Sequence, residues 1–567
     1  MKQGAALALL ILLLWSLGLS TRSITRPDEG RYAEIAREMA VSGDWITPHL
    51  NGIPYFEKPP LQYWATAGAI KLFGPTEWAA RAWSASTGLA CLLWVWFLGN
   101  RLFGIGAGWR SALVLSGSIY FAALGHINSL DMGLTFWMTI SVGAFLLAQF
   151  PDSQPKTIRR WMGLAWAGAA AALLSKGLIA LALPGTTLLL YSLWNQDFSS
   201  WKRLSPLTGG LLFLLLAAPW FWFAAQEHPE FLRFFFIHEH FQRFASTVHQ
   251  RVEPFWYFLP VLLAGLFPWT GMLWSSVVKP LRHVQARRFS PQRFLALYAL
   301  FILVFFSLSG SKLPAYILPA FPALALLMGR QLLHQTHMPS HVPVSAMAGG
   351  VFLAVGATLL AFPQGAKALG VDLDVDPDMV TLYQHYAPWI ASAATVWLAA
   401  GLWCWHQRAR QSPALRVMAL SSLLATQLLL QGSEALATVT SSKALVQQQA
   451  GALHQALPLY SVGTYDQVLD YYLQRTVTLV AFQDELAFGL TLQPGQAIAT
   501  LKDFLPRWRS EPDARAIMTP DLYAVLTRAH WPLALQFRDS RHVIVAPTTP
   551  PAVSGPEPGL DLSGNRR

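Results

Sequence analysis

Charge is scarce in this chain. Of its 567 residues only 13% are charged, 30 acidic against 41 Lys and Arg, and cysteine occurs twice. Soluble domains carry roughly 25% charged residues, so this scarcity excludes an ordinary water-facing enzyme. Cys91 and Cys404 both sit inside apolar runs, which argues against a disulfide framework and leaves the redox compartment unread. The formal net charge of +11 would suit nucleic acid, yet the basic residues lie between apolar segments and not on one face, so no nucleic-acid partner is expected. Small-x-small spacing is missing after the apolar run 5–20, so that run reads as an uncleaved first span and not as a signal peptide. An internal repeat is also missing, which weighs against a transporter built from two related halves.

Apolar residues are abundant instead: 53% of the chain, with 24 Trp and 33 Phe, at a mean hydropathy of +0.36. About 20 mostly apolar residues cross a bilayer. On that rule thirteen segments are expected to span: 4–20, 79–99, 107–124, 132–150, 161–175, 177–194, 207–225, 255–278, 294–309, 313–329, 344–362, 386–406 and 415–436. With a cytoplasmic N-terminus, one side collects Arg101, Arg110, Lys156, Arg159, Arg160, Lys202, Arg203, Lys279, Arg282, Arg330, Arg408, Arg410 and Arg416, as the positive-inside bias requires. The loops 21–78, 125–131, 226–254 and 363–385 then face outward, with the C-terminal region.

The expected fold is an α-helical polytopic membrane protein of about 13 transmembrane helices, with outer-side juxtamembrane amphipathic helices and a small C-terminal soluble α/β domain. The transmembrane domain covers 1–437. Short β-type runs such as "LPLYSVG", "TVTLVAF", "ARAIMT" and "HVIVAP" alternate with helix-like "YDQVLDYYLQ" and "PDLYAVLTRA", which marks 438–546 as the α/β domain on the outer side. The tail 547–567 lacks the apolar content to pack and is expected to be disordered.

Against this background one stretch holds many charges: "PDEGRYAEIAREMAVSGDWITPHLNGIPYFEKPP". Pro27, Asp28 and Glu29 make a helix start, because proline suits the first turn and acids suit the positive end of the dipole. The pattern that follows predicts an amphipathic helix at the membrane surface, with Arg37 and Glu38 as solvated charges. Asp28 and Arg31 are three apart and share a face. Further isolated charges fall on the same outer side: Asp131 before the fourth span, Lys176 between the fifth and sixth, Lys312 between the ninth and tenth, and His238, Glu239, His240 and Arg243 in "FFFIHEHFQRF". Ionisable groups at the rim of apolar helices are costly and mark function. Together they predict one outer-leaflet pocket of acids and cations, suited to a lipid-linked phosphate. "GIGAG" at 104–108 follows a span and lies in a loop, so it reads as small-residue packing and not as a nucleotide site.

These stretches, with "SKGLIALALP", "EPFWYFLPVLLAGLFPW" and "SKLPAYILP", resemble the lipid A 4-amino-4-deoxy-L-arabinose transferases, relatives of protein O-mannosyltransferases in the C-type glycosyltransferase superfamily. The resemblance runs in order from residue 26 to about 325. It implies an enzyme of the bacterial inner membrane that moves aminoarabinose from an undecaprenyl-phosphate donor to lipid A, with inversion at the sugar and a link to polymyxin resistance. By the same resemblance Asp28 and Asp131 are catalytic acids, and Arg31, Lys58, Arg243 and Tyr316 hold the donor phosphate. Glu57 and His238 form a pair that can bind a divalent metal (zinc, magnesium or manganese); Glu29, Lys176 and Lys312 are further candidates, and no nucleotide cofactor is implied. The alternatives are a protein or other glycan glycosyltransferase using a polyprenyl-phosphate sugar, and a flippase for a lipid-linked anion.

Overall fold

Apolar backbone away from water satisfies its polar groups within helices, and helices dominate the computed structural model. It describes residues 2–151, 153–242, 253–282, 289–363, 377–453 and 457–548. Arg243 and the tail from 549 onward lie outside the described residues. The chain divides into two units, Met1–Arg22 with Glu57–Ala69 and Thr76–Ala435, and Ser23–Phe56 with Ile70–Pro75 and Leu436–Arg567.

In the first unit the helices follow the thirteen expected segments, but not all are continuous spans. Among the described residues seven helices are long and apolar enough to cross a membrane: Glu77–Phe103, Leu130–Ala148, Pro206–Glu227, Pro291–Leu308, His341–Ala361, Met379–His406 and Gln411–Thr440. Phe258–Gly265 and Trp269–Arg282, bent by 110° across Pro268, make an eighth if taken as one. Three expected spans are shorter apolar helices, Gly4–Ser16, Ile179–Asn195 and Ala320–Leu333. The segment 107–124 breaks into Ala107–Ser116 and Ile119–Leu124. Hydropathy sees only the run of apolar residues, whereas glycine and proline interrupt the helix within it. "GIGAG" is a site of close approach: a Cβ on Gly108 would come 2.0 Å from the Trp96 carbonyl oxygen, which lets Ala107–Ser116 fold back against Glu77–Phe103.

The second unit is built on a six-stranded mixed sheet in the order Ala497–Ile498, Thr478–Val480, Leu459–Val462, Arg515–Met518, Val543–Pro547, Leu533–Arg538. The first four strands run parallel and the last two pair antiparallel. Parallel neighbours need crossover connections, which the helices Gln467–Leu473 and Leu501–Ser510 supply. Tyr460, Val480, Phe504, Trp508, Met518 and Val545 close its core. Four strands fall on the β-type runs named above. The edge strands Ala497–Ile498 and Leu533–Arg538 have no such run, being short or polar.

Packing does not follow chain order, because Ser23–Phe56 folds with the C-terminal unit. The expected surface position of the Asp28–Ser42 helix is corrected by this packing. Every residue from Glu29 to Met39 is buried, and the helix packs on Gln467–Leu473. At Gly30 an added Cβ would lie 2.4 Å from Val468 Cγ2. Arg37 and Glu38 are not solvated. Arg37 donates to both carboxylate oxygens of Glu34 at 2.6 and 2.7 Å, and Glu38 accepts the backbone N–H groups of Asn51 and Gly52 at 2.6 and 2.8 Å. Asn51 and Gly52 take positive φ in the two-residue turn between His49–Leu50 and Ile53–Pro54, and Asn51 exchanges two hydrogen bonds with the Val477 backbone at 2.7 and 2.9 Å. A periodicity argument reads charge as exposure and misses charges that are buried in pairs.

Candidate active site

In the first unit Pro59 and Pro60 keep the residues before them out of a helix, so Glu57 and Lys58 sit in a bend ahead of the Leu61–Phe73 helix. Asp131 occupies the first turn of Leu130–Ala148, where the helix dipole favours an acid. Lys176 is the last residue of Pro155–Lys176, where the dipole favours a cation. Gly177, at φ +93°, breaks the chain before Ile179. Tyr316 lies in the short 3-10 turn Pro314–Ile317.

These positions converge. Glu57, Lys58, Asp131, Lys176 and Tyr316 line one cavity of about 410 Å³, together with Glu239, Ser309, Ser311 and an apolar wall that includes Leu134, Ile179, Leu183, Phe305 and Phe306. Lys176 Nζ is 2.5 Å from Asp131 Oδ1 and 4.8 Å from the centre of the Tyr316 ring. That ring packs at 5.0 Å and a 38° tilt against Phe306. Lys58 Nζ is 3.1 Å from Glu239 Oε2, 2.8 Å from the Glu57 carbonyl oxygen and 3.8 Å from Glu57 Oε2. Lys312 is buried and donates to the Ser309 carbonyl at 2.7 Å, beside the two serines of the lining.

Of the charges in "FFFIHEHFQRF", Glu239 lines the cavity and His238, the metal candidate, does not. Glu239 stands on the π-type helix Phe234–Gln242, and its side chain is 3% exposed while that of His238 is 54% exposed. His238 stacks on Phe234, with Nδ1 3.6 Å from Glu239 Oε1. The sequence signal that favours Glu239 over His238 is an acid inside an aromatic run, which has to be buried or paired. The pair Glu57 and His238 makes a thin metal site: among the described residues no group of three or more His, Cys, Asp or Glu side chains could hold a metal ion. The Lys58 ammonium beside Glu57 also disfavours a second cation there.

Asp28 and Arg31 belong to the second unit. Asp28 keeps 41% of its side chain exposed and accepts from Arg31 Nη1 at 3.1 Å, while Arg31 Nη2 pairs with Glu485 at 2.6 Å. Gln467 holds the other oxygen of Glu485. Glu29 is buried and accepts from the Thr25 backbone and hydroxyl at 2.9 and 3.0 Å, which makes it a clamp on the turn before the helix.

Known proteins share this fold. A family model of dolichyl-phosphate-mannose-protein mannosyltransferases matches residues 2–235, and one of the aminoarabinose transferase C-terminal domain matches 445–547. The chain is 31% identical over 525 residues to the undecaprenyl phosphate-alpha-4-amino-4-deoxy-L-arabinose arabinosyl transferase of Pseudomonas aeruginosa strain UCBPP-PA14, covering 88% of this chain and 89% of the relative. It is 33% identical over 401 residues to the protein of the same name from Erwinia tasmaniensis, covering 69% and 70%. The crystal structure of ArnT from Cupriavidus metallidurans bound to undecaprenyl phosphate matches with a TM-score of 0.86 at 33% identity, over 98% of this chain and 99% of that one. Its apo form matches at 0.84.

Fold, cavity and relatives together define a polytopic membrane glycosyltransferase. More particularly, the chain belongs to the family of undecaprenyl phosphate-alpha-4-amino-4-deoxy-L-arabinose arabinosyl transferases.

Proposed function

We propose that this enzyme transfers 4-amino-4-deoxy-L-arabinose from undecaprenyl phosphate to a phosphate of lipid A at the outer face of the bacterial inner membrane. The observation that carries the reading is the cavity itself, in which ammonium groups and carboxylates share one space with an apolar wall. A lipid-linked phosphate sugar has both characters. Donor names and the bound carrier of the relatives support the same substrate class.

The chemistry follows from charge. The donor is a phosphodiester with one negative charge. As the bond from its sugar C1 to the phosphate oxygen breaks, the phosphate keeps the electron pair and gains a second charge. An oxygen of the acceptor phosphate forms the new bond to C1 from the opposite side, with inversion. A proton on that oxygen passes to a carboxylate, and Asp28 is assigned this role with Asp131 as the second acid. Lys58 and Lys176, with Tyr316 and Arg243, stabilise the charge that develops on the leaving phosphate, worth about 3–4 kcal/mol for one well-placed donor. Arg31 is already held by two carboxylates, so its share in this task is to orient Asp28.

The remaining assignments are a full set of thirteen crossings with the N-terminus cytoplasmic and the unit after residue 437 periplasmic. The basic loops on one side support this orientation. Mass spectrometry of lipid A from cells with and without the chain tests the function. An aminopentose mass added on phosphate is expected; unmodified lipid A with a sugar appearing on protein would replace lipid A by a peptide acceptor.

A further inference from the structure

At the end of the first unit away from the cavity lies a second concentration of charge, and it is all of one sign. Glu77–Phe103 is 27 residues long, about 40 Å at 1.5 Å per residue. The segments gathered at its far end carry Arg110, Arg330, Arg408 and Arg416, whereas no Asp or Glu occurs from 78 to 130, from 254 to 371 or from 379 to 433. Solvated arginines extend into water. These lie on aromatic rings: Arg110 is 4.5 Å and Arg416 5.7 Å from the centre of the same Trp109 ring, Arg408 is 4.3 Å from Trp405, and Arg330 is 5.9 Å from Phe103.

The two guanidinium groups on Trp109 come from different helices, Ala107–Ser116 and Gln411–Gly432, and a buried side chain locks them together. Gln411 accepts from Arg110 Nε at 3.1 Å and donates to the carbonyls of Leu332 and Gln335 at 2.8 and 2.7 Å. Arg110 Nη1 is tied to the Gly106 carbonyl at 2.8 Å. Arg416 Nε is buried without a hydrogen-bond partner. Holding two cations on one ring without a counterion is unfavourable unless an anion joins them. Apolar side chains flank the group: Ile105 is 96% exposed at the tip of the turn between Gly104 and Gly106, and Trp403 and Trp405 are 41% and 37% exposed. Exposed apolar groups beside ordered arginines belong at the level where lipid headgroups meet acyl chains.

We infer that Arg110, Arg416 and Trp109 form a headgroup site for an anionic phospholipid, with the phosphate between the two guanidinium groups and Ile105 among the acyl chains. The site lies on the membrane face opposite the catalytic cavity and does not depend on which sugar is transferred. Its role is to seat the Ala107–Ser116 and Gln411–Gly432 helices on the bilayer by a charge contact that no described acidic side chain supplies.

The test is native mass spectrometry of the full-length protein exposed to equimolar phosphatidylglycerol and phosphatidylcholine. Wild type should retain phosphatidylglycerol in preference, and R110Q/R416Q should lower that preference by up to about thirtyfold, since each basic residue near a bilayer contributes about fivefold. R416Q alone should lower it part of the way, which keeps the test usable if the double variant does not fold. K156Q/R159Q, with the same charge change in another basic loop, should leave the preference intact. Equal loss in that control would overturn a site in favour of general charge. Displacement of the lipid by millimolar inorganic phosphate would overturn the lipid assignment in favour of a free anion. An unchanged preference in R110Q/R416Q would overturn the inference altogether.

Discussion

Lys58 and Glu239, 181 positions apart in the chain, meet in a part-buried ion pair of 3.1 Å. Removing one partner of such a pair strands the other charge, so the two truncations should differ in kind. Lys58→Ala should reduce kcat/KM for the polyprenyl-phosphate donor by roughly 100-fold or more. Glu239→Gln leaves the ammonium in place and should cost less than tenfold. The double variant should be no worse than Lys58→Ala alone, because both changes act on one group. Steady-state kinetics in detergent checks this, and near wild-type donor use by Lys58→Ala would remove the phosphate assignment.

Asp28 offers a separate test. Its carboxylate is partly exposed and, among the described residues of its own unit, pairs with Arg31, so Asp28→Asn should leave expression and thermal stability unchanged while transfer falls by at least about 100-fold. Arg31→Lys keeps the charge but loses the fork that spans Asp28 and Glu485, and should lower kcat with little change in donor KM. Full activity of Asp28→Asn in a reconstituted assay would end its role as base.

The second unit should respond to pH through Glu38. Burial first, and then the Glu34 carboxylate, push the Glu38 carboxyl up to about 8, and Asp470 is raised for the same two reasons. A carboxyl whose pKa is higher in the folded state binds more protons there, so its contribution to stability declines as pH rises from the unfolded value near 4.5 toward 8. Asn51 and Gly52 each bond to a different Glu38 oxygen, so Glu38→Gln keeps an acceptor for one of the two N–H groups, loses the other bond and removes the titration. Melting of the purified protein between pH 5 and 9 should therefore be flatter in Glu38→Gln, with the variant the less stable at pH 5. A variant whose stability falls with pH as steeply as that of wild type would contradict the reading.

Orientation can be read by thiol labelling. Cys91 and Cys404 are buried, which leaves little background. Single cysteines at the exposed positions Ser42 and Ser510 should react with a membrane-impermeant reagent in intact spheroplasts, and one at the exposed Gln154 should not. Reaction at 154 with protection at 42 would invert the topology and remove the periplasmic site.

Much of this protein is legible in its sequence because charge is expensive in an apolar chain. Asp131 and Lys176 stand out as charges beside long apolar runs, Lys58 and Tyr316 through the family resemblance, and all four line the same cavity. Helix locations follow from hydropathy for a similar reason, since lipid leaves the backbone no alternative. Where a helix breaks does not, as Gly117 and Pro268 show, because a run of apolar residues looks the same whether straight or bent. Tertiary structure alone decided the partners. Glu239 rather than His238 faces Lys58, and the Asp28–Ser42 helix buries Glu34, Arg37 and Glu38 against a unit that begins some 400 residues later. Local pattern assigns a charge to water; only the fold can bring it a countercharge or a backbone N–H, and that pairing, invisible along the chain, determines which charges are buried.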